Sequence, residues 1–403
     1  MRSAVIVDAV RSPMGKGRAP RNGKPGGALS SVHAVDLLSQ TIGHLMARND
    51  VDPGLVEDVI IGCVSQAGEQ AATPGRWAWL AAGLPEHVPS TTIDRRCGSS
   101  QQAADFGAQA IMAGAYDIVV VGGIESMSRV PMGTARMGED PFGPAVADRY
   151  RPGLVSQGVS AELVAARSGQ TREDLDSYAA RSHARAAACR ANGAFDGEIV
   201  PITATDAAGD VRTFDVDETI RPETTVERLA ELHPAFRSDE LVERFPEIRW
   251  QVTAGNSSQL ADGASALLLM SEERAEQLGL RPRARFHAFA VAADDPVLML
   301  GGPIPATEKI LAKTGLTLSD IDHYEVNEAF ASVPLAWQQH FGADGARLNP
   351  RGGAIALGHP LGASGGRLMT SMLNALEATN GRYGLQTMCE VGGMANATII
   401  ERL

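Results

Sequence analysis

The sequence predicts an α/β protein built as two related halves with helices on both faces of its sheets, and three observations carry that prediction. Short runs of strand length alternate with helical segments through the first third: "SAVIVDAV", "AVDLLSQTIGHLMARN", "VEDVIIGCVSQ", "GRWAWLAAGL", "PSTTID", then "YDIVVVGG". Strand runs such as "DIVVVGG" are apolar on both faces, the pattern of a sheet covered on each side. The last third repeats the theme, and "AGAYDIVVVGG" corresponds to "NGRYGLQTMCEVGG": each ends a helix at Gly, passes a Tyr, runs a strand and stops at Gly-Gly.

The first element, "SAVIVDAV", is a strand running into the loop "RSPMGKGRAPRNGKPGG"; Asp8 interrupts the apolar run and no small-residue cleavage site follows, so it does not fit a signal peptide. No apolar stretch reaches the ~18 residues of a membrane span. With 403 residues, 44% of them hydrophobic, the chain can bury a large core. Its net charge of −12 argues against a nucleic-acid partner, since neutralising phosphates needs clustered Lys and Arg. The four cysteines (Cys63, Cys97, Cys189, Cys389) are widely spaced without a CxxC, which fits neither a disulfide framework nor a zinc site and suits a reducing, cytoplasmic setting.

Between the halves, from about Ser128 to Val252, Arg, Asp, Glu and Pro rise. There "TREDLDSYAARSHARAAACRANGAF" predicts a helix capped by Thr171 and ending near Gly193. A polar insertion of this kind suits either a cover over a ligand or a solvated helical excursion.

Cys97 falls in "IDRRCGSSQQA", between a strand and a helix, where orphan N–H groups and the helix dipole favour a thiolate and, with Arg95 and Arg96 turned inward, lower its pKa. Viewed alone, the stretch suits a small buried cysteine equally well. His359 stands out among nine histidines because "GGAIALGHPLGASGG" surrounds it with glycines that permit close backbone approach. Cys389 closes the strand "YGLQTMC", and Asn327 in "YEVNEAF" lies between a strand and a helix, where Asn is also an ordinary cap. The pseudo-repeat sets the loops of Cys97 and His359 at comparable places in the two halves, which predicts that both face one cleft.

Taken in order, "CGSSQQA", "GGIESMS", "VTAGNSSQLADGASA", "NEAF", "GHPLGASG" and "CEVGGMANA" resemble the thiolases over nearly the whole chain. The resemblance implies a thiolase fold: two pseudo-symmetric αβαβα halves forming a five-layered core, with residues 1–127 (completed by about 253–280) and 281–403 as the halves and 128–252 as a loop domain covering coenzyme A. It implies thiolytic cleavage of a 3-ketoacyl-CoA, or the reverse condensation, with Cys97 as nucleophile, His359 as its base and Cys389 as second acid/base. One oxyanion would face His359 and a water positioned by Asn327; the other would face the backbone N–H groups of Cys97 and Val391. Many relatives have glycine where this chain has Val391, and a β-branched residue would be strained if the loop needed positive φ there. Arg221, Phe236 and Ser258 match the positions that contact coenzyme A, which is a co-substrate and not a resident cofactor.

Thiolases restricted to acetoacetyl-CoA carry a His-Met pair where this chain has Ser156 and Gln157, so the resemblance favours a degradative enzyme acting on longer or ring-bearing acyl groups over a biosynthetic one. The same resemblance implies a homodimer or homotetramer. A decarboxylating ketoacyl synthase would not need Cys389, a papain-like hydrolase does not suit the doubled α/β pattern, and a degenerate acyl-CoA binder would need none of the four site residues.

Overall fold

The computed structural model describes residues 2–22, 24, 26–205 and 209–403. The N-terminal half begins with β1 (Ala4–Arg11), β2 (Gly15–Lys16), α1 (Ala34–Asn49), β3 (Asp58–Gly62), α2 (Pro74–Ala81), β4 (Ser90–Ile93), α3 (Ser99–Ala113) and β5 (Ile118–Ser126). The insertion carries α4 (Pro144–Arg149), α5 (Gln157–Arg167), α6 (Arg172–Ala191), β6 (Ile202–Thr205), β7 (Val211–Phe214), α7 (Val226–Ala230) and α8 (Asp239–Arg244). The chain then returns through β8 (Ala261–Ser271) and α9 (Glu272–Gln277) to complete the first sheet. The C-terminal half comprises β9 (Ala284–Ala293), α10 (Pro303–Thr314), β10 (His323–Val326), α11 (Ser332–Phe341), α12 (Ala354–Leu357), α13 (Ser364–Thr379), β11 (Tyr383–Glu390) and β12 (Met394–Arg402).

The main strands run in the order β10-β11-β12-β9-β1-β8-β5-β3-β4. Pairing between the halves is thin, only Val5 with Arg285 and Ile6 with Ala284, so two sheets meet along β1 and β9. Helices α3 and α13 lie between those sheets, α1 and α2 cover the outer face of the first, and α10 covers the second. Every residue of β1, β5 and β8 is buried, and apolar runs such as Ile118–Val121 and Leu267–Met270 fit a sheet covered on both faces. Small residues let the inner layer close: a Cβ on Gly107 of α3 would come within 2.7 Å of Val121 Cγ1. Among the described residues no helix is long and apolar enough to cross a membrane.

The repeat seen in the sequence is real in topology but differs in its punctuation. Helix α3 ends at Gly114 in the left-handed conformation (φ 77°), whereas α13 ends at Asn380 (φ 54°), whose short polar side chain tolerates that region. Nor does Gly122-Gly123 stop β5. The strand continues to Ser126, and the glycines are there for space, since Cβ atoms would fall 2.0 Å from Ser265 O and 2.1 Å from Gly362 O. The insertion helix α6 starts at the expected Thr171, with a capping box completed by Asp174.

Candidate active site

The site forms where the first turns of α3 and α13 meet. Gly366 N–H donates to Ser100 Oγ at 2.8 Å, and Gly365 is packed so closely that a Cβ would stand 2.2 Å from Gln101 N. Cys97 immediately precedes α3 and His359 lies five residues before α13, so this contact brings the two loops together. Cys97 packs with Leu361 and Met388, neighbours in sequence of His359 and Cys389. Behind them the buried Glu125 of β5 accepts hydrogen bonds from the backbone N–H groups of Val64, Ser65 and Gly362, clamping the His359 loop against the first half.

His359 is buried, and its tautomer follows from its partners. Ser364 Oγ donates its one proton to Pro360 O at 2.8 Å, so at 2.6 Å from His359 Nδ1 it acts as the acceptor. Nδ1 therefore carries the hydrogen and Nε2 has the free lone pair. Asn327 Nδ2 lies 3.5 Å from that Nε2. Burial, then the Arg367 guanidinium, pushes the imidazole pKa down to about 3, so it rests neutral. Backbone bonds fix both residues: His359 N–H donates to Gln259 O, and Asn327 N–H to Thr387 O beside the Cys389 strand.

Cys97 departs from the sequence expectation. Its thiol is pushed up to about 12, first by burial and then by the charge of Glu390; the helix N-terminus does not outweigh those effects. The two arginines divide. Arg96 (φ 49°) is exposed and pairs with Asp94 at 3.2 Å, while Arg95 lies half-buried, with its charge acting on Glu390 and Asp105. Cys389 is fully buried, and burial, then Cys97, raises its thiol well above the usual value. The resting site thus holds two neutral thiols beside one neutral imidazole.

Val391 follows β11 and is half-buried, but the left-handed turn falls on Gly392 (φ 95°) and Gly393 (φ 80°), so valine carries no positive-φ strain. Gln157 opens α5, and its side-chain amide favours the Cys97 thiolate, though less than burial and Glu390 oppose it. Because glutamine is about as long as methionine, that position differs from a His-Met pair in polarity more than in size. Phe236 sits over the same helix start: a Cβ on Gly158 would meet its ring at 2.3 Å, and the ring stacks edge-on against Phe330 at 6.1 Å. Ser258 N–H donates to Ala329 O next to the Gln259 that holds His359. Arg221 is exposed, on the segment whose Thr219 carbonyl receives Gln259 Nε2. The structure thus groups Cys97, His359, Cys389 and Asn327, with Phe236 over the start of α5, Ser258 next to the Gln259 that holds His359, and Arg221 exposed.

Sequence reasoning missed Glu125, Ser364 and Glu390 as contributors. They lie within the motifs "GGIESMS", "GHPLGASG" and "CEVGGMANA", where a charged or hydroxyl residue among glycines was the available signal.

Residues 4–273 match the thiolase N-terminal domain and residues 280–402 the thiolase C-terminal domain. The steroid 3-ketoacyl-CoA thiolase FadA6 of Mycobacterium tuberculosis is 47% identical over 411 residues, covering 100% of this chain and 95% of the relative. A 3-ketoacyl-CoA thiolase of Vibrio vulnificus is 44% identical over 406 residues, covering 100% of both chains. The crystal structure of the Bacillus anthracis acetyl-CoA acetyltransferase superposes with a TM-score of 0.88 at 36% identity, covering 100% of this chain and 99% of that one. The chain belongs to the thiolase family, and it is an acyltransferase of the thiolase fold.

Proposed function

We propose that this protein cleaves a 3-ketoacyl-CoA with coenzyme A, through an acyl group carried on Cys97, to give acetyl-CoA and a shortened acyl-CoA. The observation that carries this reading is the joint burial of two thiols and one neutral imidazole with a free Nε2 where two helix N-termini meet. His359 Nε2 takes the Cys97 proton as the sulfur attacks the 3-keto carbon. The carbon–carbon bond breaks, and the acetyl-CoA enolate takes a proton from Cys389. Coenzyme A then attacks the acyl-cysteine, its thiol proton returning to Cys389, and Cys97 leaves and recovers its proton from His359.

With the thiol near 12 and the imidazole near 3, a resting ion pair is strongly disfavoured. Proton transfer is therefore coupled to attack on bound substrate. The charge developing on oxygen is met by His359 and a water positioned by Asn327 at one position and by the N–H groups of Cys97 and Val391 at the other.

Coenzyme A is a co-substrate in this reading, with Phe236 and Ser258 along the pantetheine arm and Arg221 toward a phosphate. The favoured substrates are fatty-acid or sterol-derived 3-ketoacyl-CoA, a reading supported by the likeness to a steroid 3-ketoacyl-CoA thiolase and a 3-ketoacyl-CoA thiolase. A homodimer or homotetramer is supported by the partly exposed edge strand β4 and by the exposed Met132 and Met137 after β5.

The test is to mix the pure protein, without free coenzyme A, with acetoacetyl-CoA or with a long or steroid-type 3-ketoacyl-CoA and to map adducts by intact and peptide mass spectrometry. The shortened acyl group should appear on Cys97, more fully from the larger substrate, and should vanish with at least ~10⁴-fold of the turnover in Cys97→Ala. Full turnover in that variant would overturn the nucleophile assignment.

A further inference from the structure

Glu390 stands directly after Cys389 on β11, its side chain is fully buried, and neither carboxyl oxygen has a hydrogen-bond partner among the described residues. Its Oε1 occupies the space beside Gly98, where a Cβ would come within 2.0 Å of it. Gly98 has φ −85°, which any residue adopts, so glycine is needed there to admit Glu390 and not for backbone freedom. The same space is bordered by Asn396, whose Nδ2 donates to Gly98 O while its Oδ1 lacks a donor among the described residues. A buried carboxylate among unsatisfied acceptors is costly, whereas one added proton removes its charge.

The charged and titratable groups facing Glu390 are Arg95 and Asp94 on the loop before α3, Asp105 on α3, and the two cysteines. Arg95 is the one cation among them. Asp105 is itself buried, its pKa raised by burial to about 8, and it receives a hydrogen bond from Thr398 Oγ1.

We propose that Glu390 is a positioning residue of the two-cysteine site: held as a neutral acid behind Gly98, it leaves room for negative charge at Cys97 and Cys389, and its ionisation sets the alkaline limit of their reactivity. This rests on the reading of Cys97 as nucleophile. Two features support it: Glu390 is the first charged group acting on Cys97 after burial, and its own carboxyl is raised by burial to about 8. As pH rises through that value the new carboxylate opposes thiolate formation, so Cys97 ionises at a higher pH than it would beside a neutral neighbour.

The test is the pH profile of Cys97 alkylation by iodoacetamide, followed by peptide mass spectrometry in the full chain. Glu390→Gln should shift the profile to lower pH by about one unit, and Glu390→Asp, which keeps a carboxyl, should not reproduce that shift. If Glu390→Gln does not fold, Glu390→Ala should show the same direction. A second readout is thermal stability: unfolding lets Glu390 ionise at its ordinary pKa, so wild-type stability falls from about pH 4.5 to 8. That fall should be shallower in the neutral variants. Superimposable alkylation profiles would overturn the proposal. Loss of acyl-enzyme at Cys97 in the wild type would instead overturn the nucleophile reading, so the two failures are distinguishable.

Discussion

Helices of the insertion and the two central helices begin in different ways. Helices α5, α6, α7 and α8 are each capped by a serine or threonine side chain, Ser156, Thr171, Thr225 and Ser238, accepting from the N–H three residues on. Helices α3 and α13 start at Gly98 and Ala363 with no side-chain cap. These four helices satisfy an orphan donor locally, whereas α4 of the insertion starts at Gly143 with no side-chain cap. The central pair leaves its N-termini open to each other and to the site, where Ser100 in the first turn of α3 accepts from Gly366 N–H across the gap. Local stability was thus given up where two positive helix ends flank groups that must carry negative charge in turnover.

The largest effect expected from disturbing the central pair, after loss of Cys97 itself, comes from His359→Ala. It removes the imidazole beside the thiol, and kcat/KM for thiolysis should fall by roughly 10²–10⁴-fold with the thermal midpoint little changed. A smaller loss would move the base to Cys389.

Next comes Gly98→Ser, which would supply at α3 the very cap that serves the insertion. Here the new Cβ would collide with Glu390 Oε1 at 2.0 Å, so the variant should lose about 1–3 kcal/mol of stability by denaturant unfolding and most of its acylation rate. The contrasting substitution is Thr171→Ala in α6. Removal of its capping box should cost about 1 kcal/mol of stability while leaving kcat unchanged, because this cap serves the helix alone. If Gly98→Ser stabilised the protein, the central helix would be an ordinary one and the contrast would fail.

What was legible in the sequence follows the same division. Two-sided apolar strands, the capping threonine of α6 and the placement of Cys97 before a helix depend on near neighbours in the chain, and each can be read from a few residues. The meeting of Gly365 with Gln101 and of Glu125 with Gly362 joins segments more than 200 residues apart, and only the folded chain brings them together. Electrostatics was the least legible. The arginines beside Cys97 suggested a thiolate, yet Arg96 turns to solvent and burial, the first of the causes, holds the thiol protonated. Charge adjacent in sequence was outweighed by desolvation.

The smallest effect sharpens the same comparison at the strand end. Val391 stands where many thiolases have glycine, and a strained valine would make Val391→Gly faster. The structure instead puts the left-handed turn on Gly392 and Gly393 and packs Val391 against the core of the C-terminal half. Either residue supplies the same N–H, so thiolysis should not accelerate. The glycine variant should lose about 1 kcal/mol in denaturant unfolding, from lost side-chain burial and greater freedom of the unfolded chain. A gain in rate without loss of stability would show that valine does restrain the loop, and would return the second oxyanion position to the centre of the mechanism.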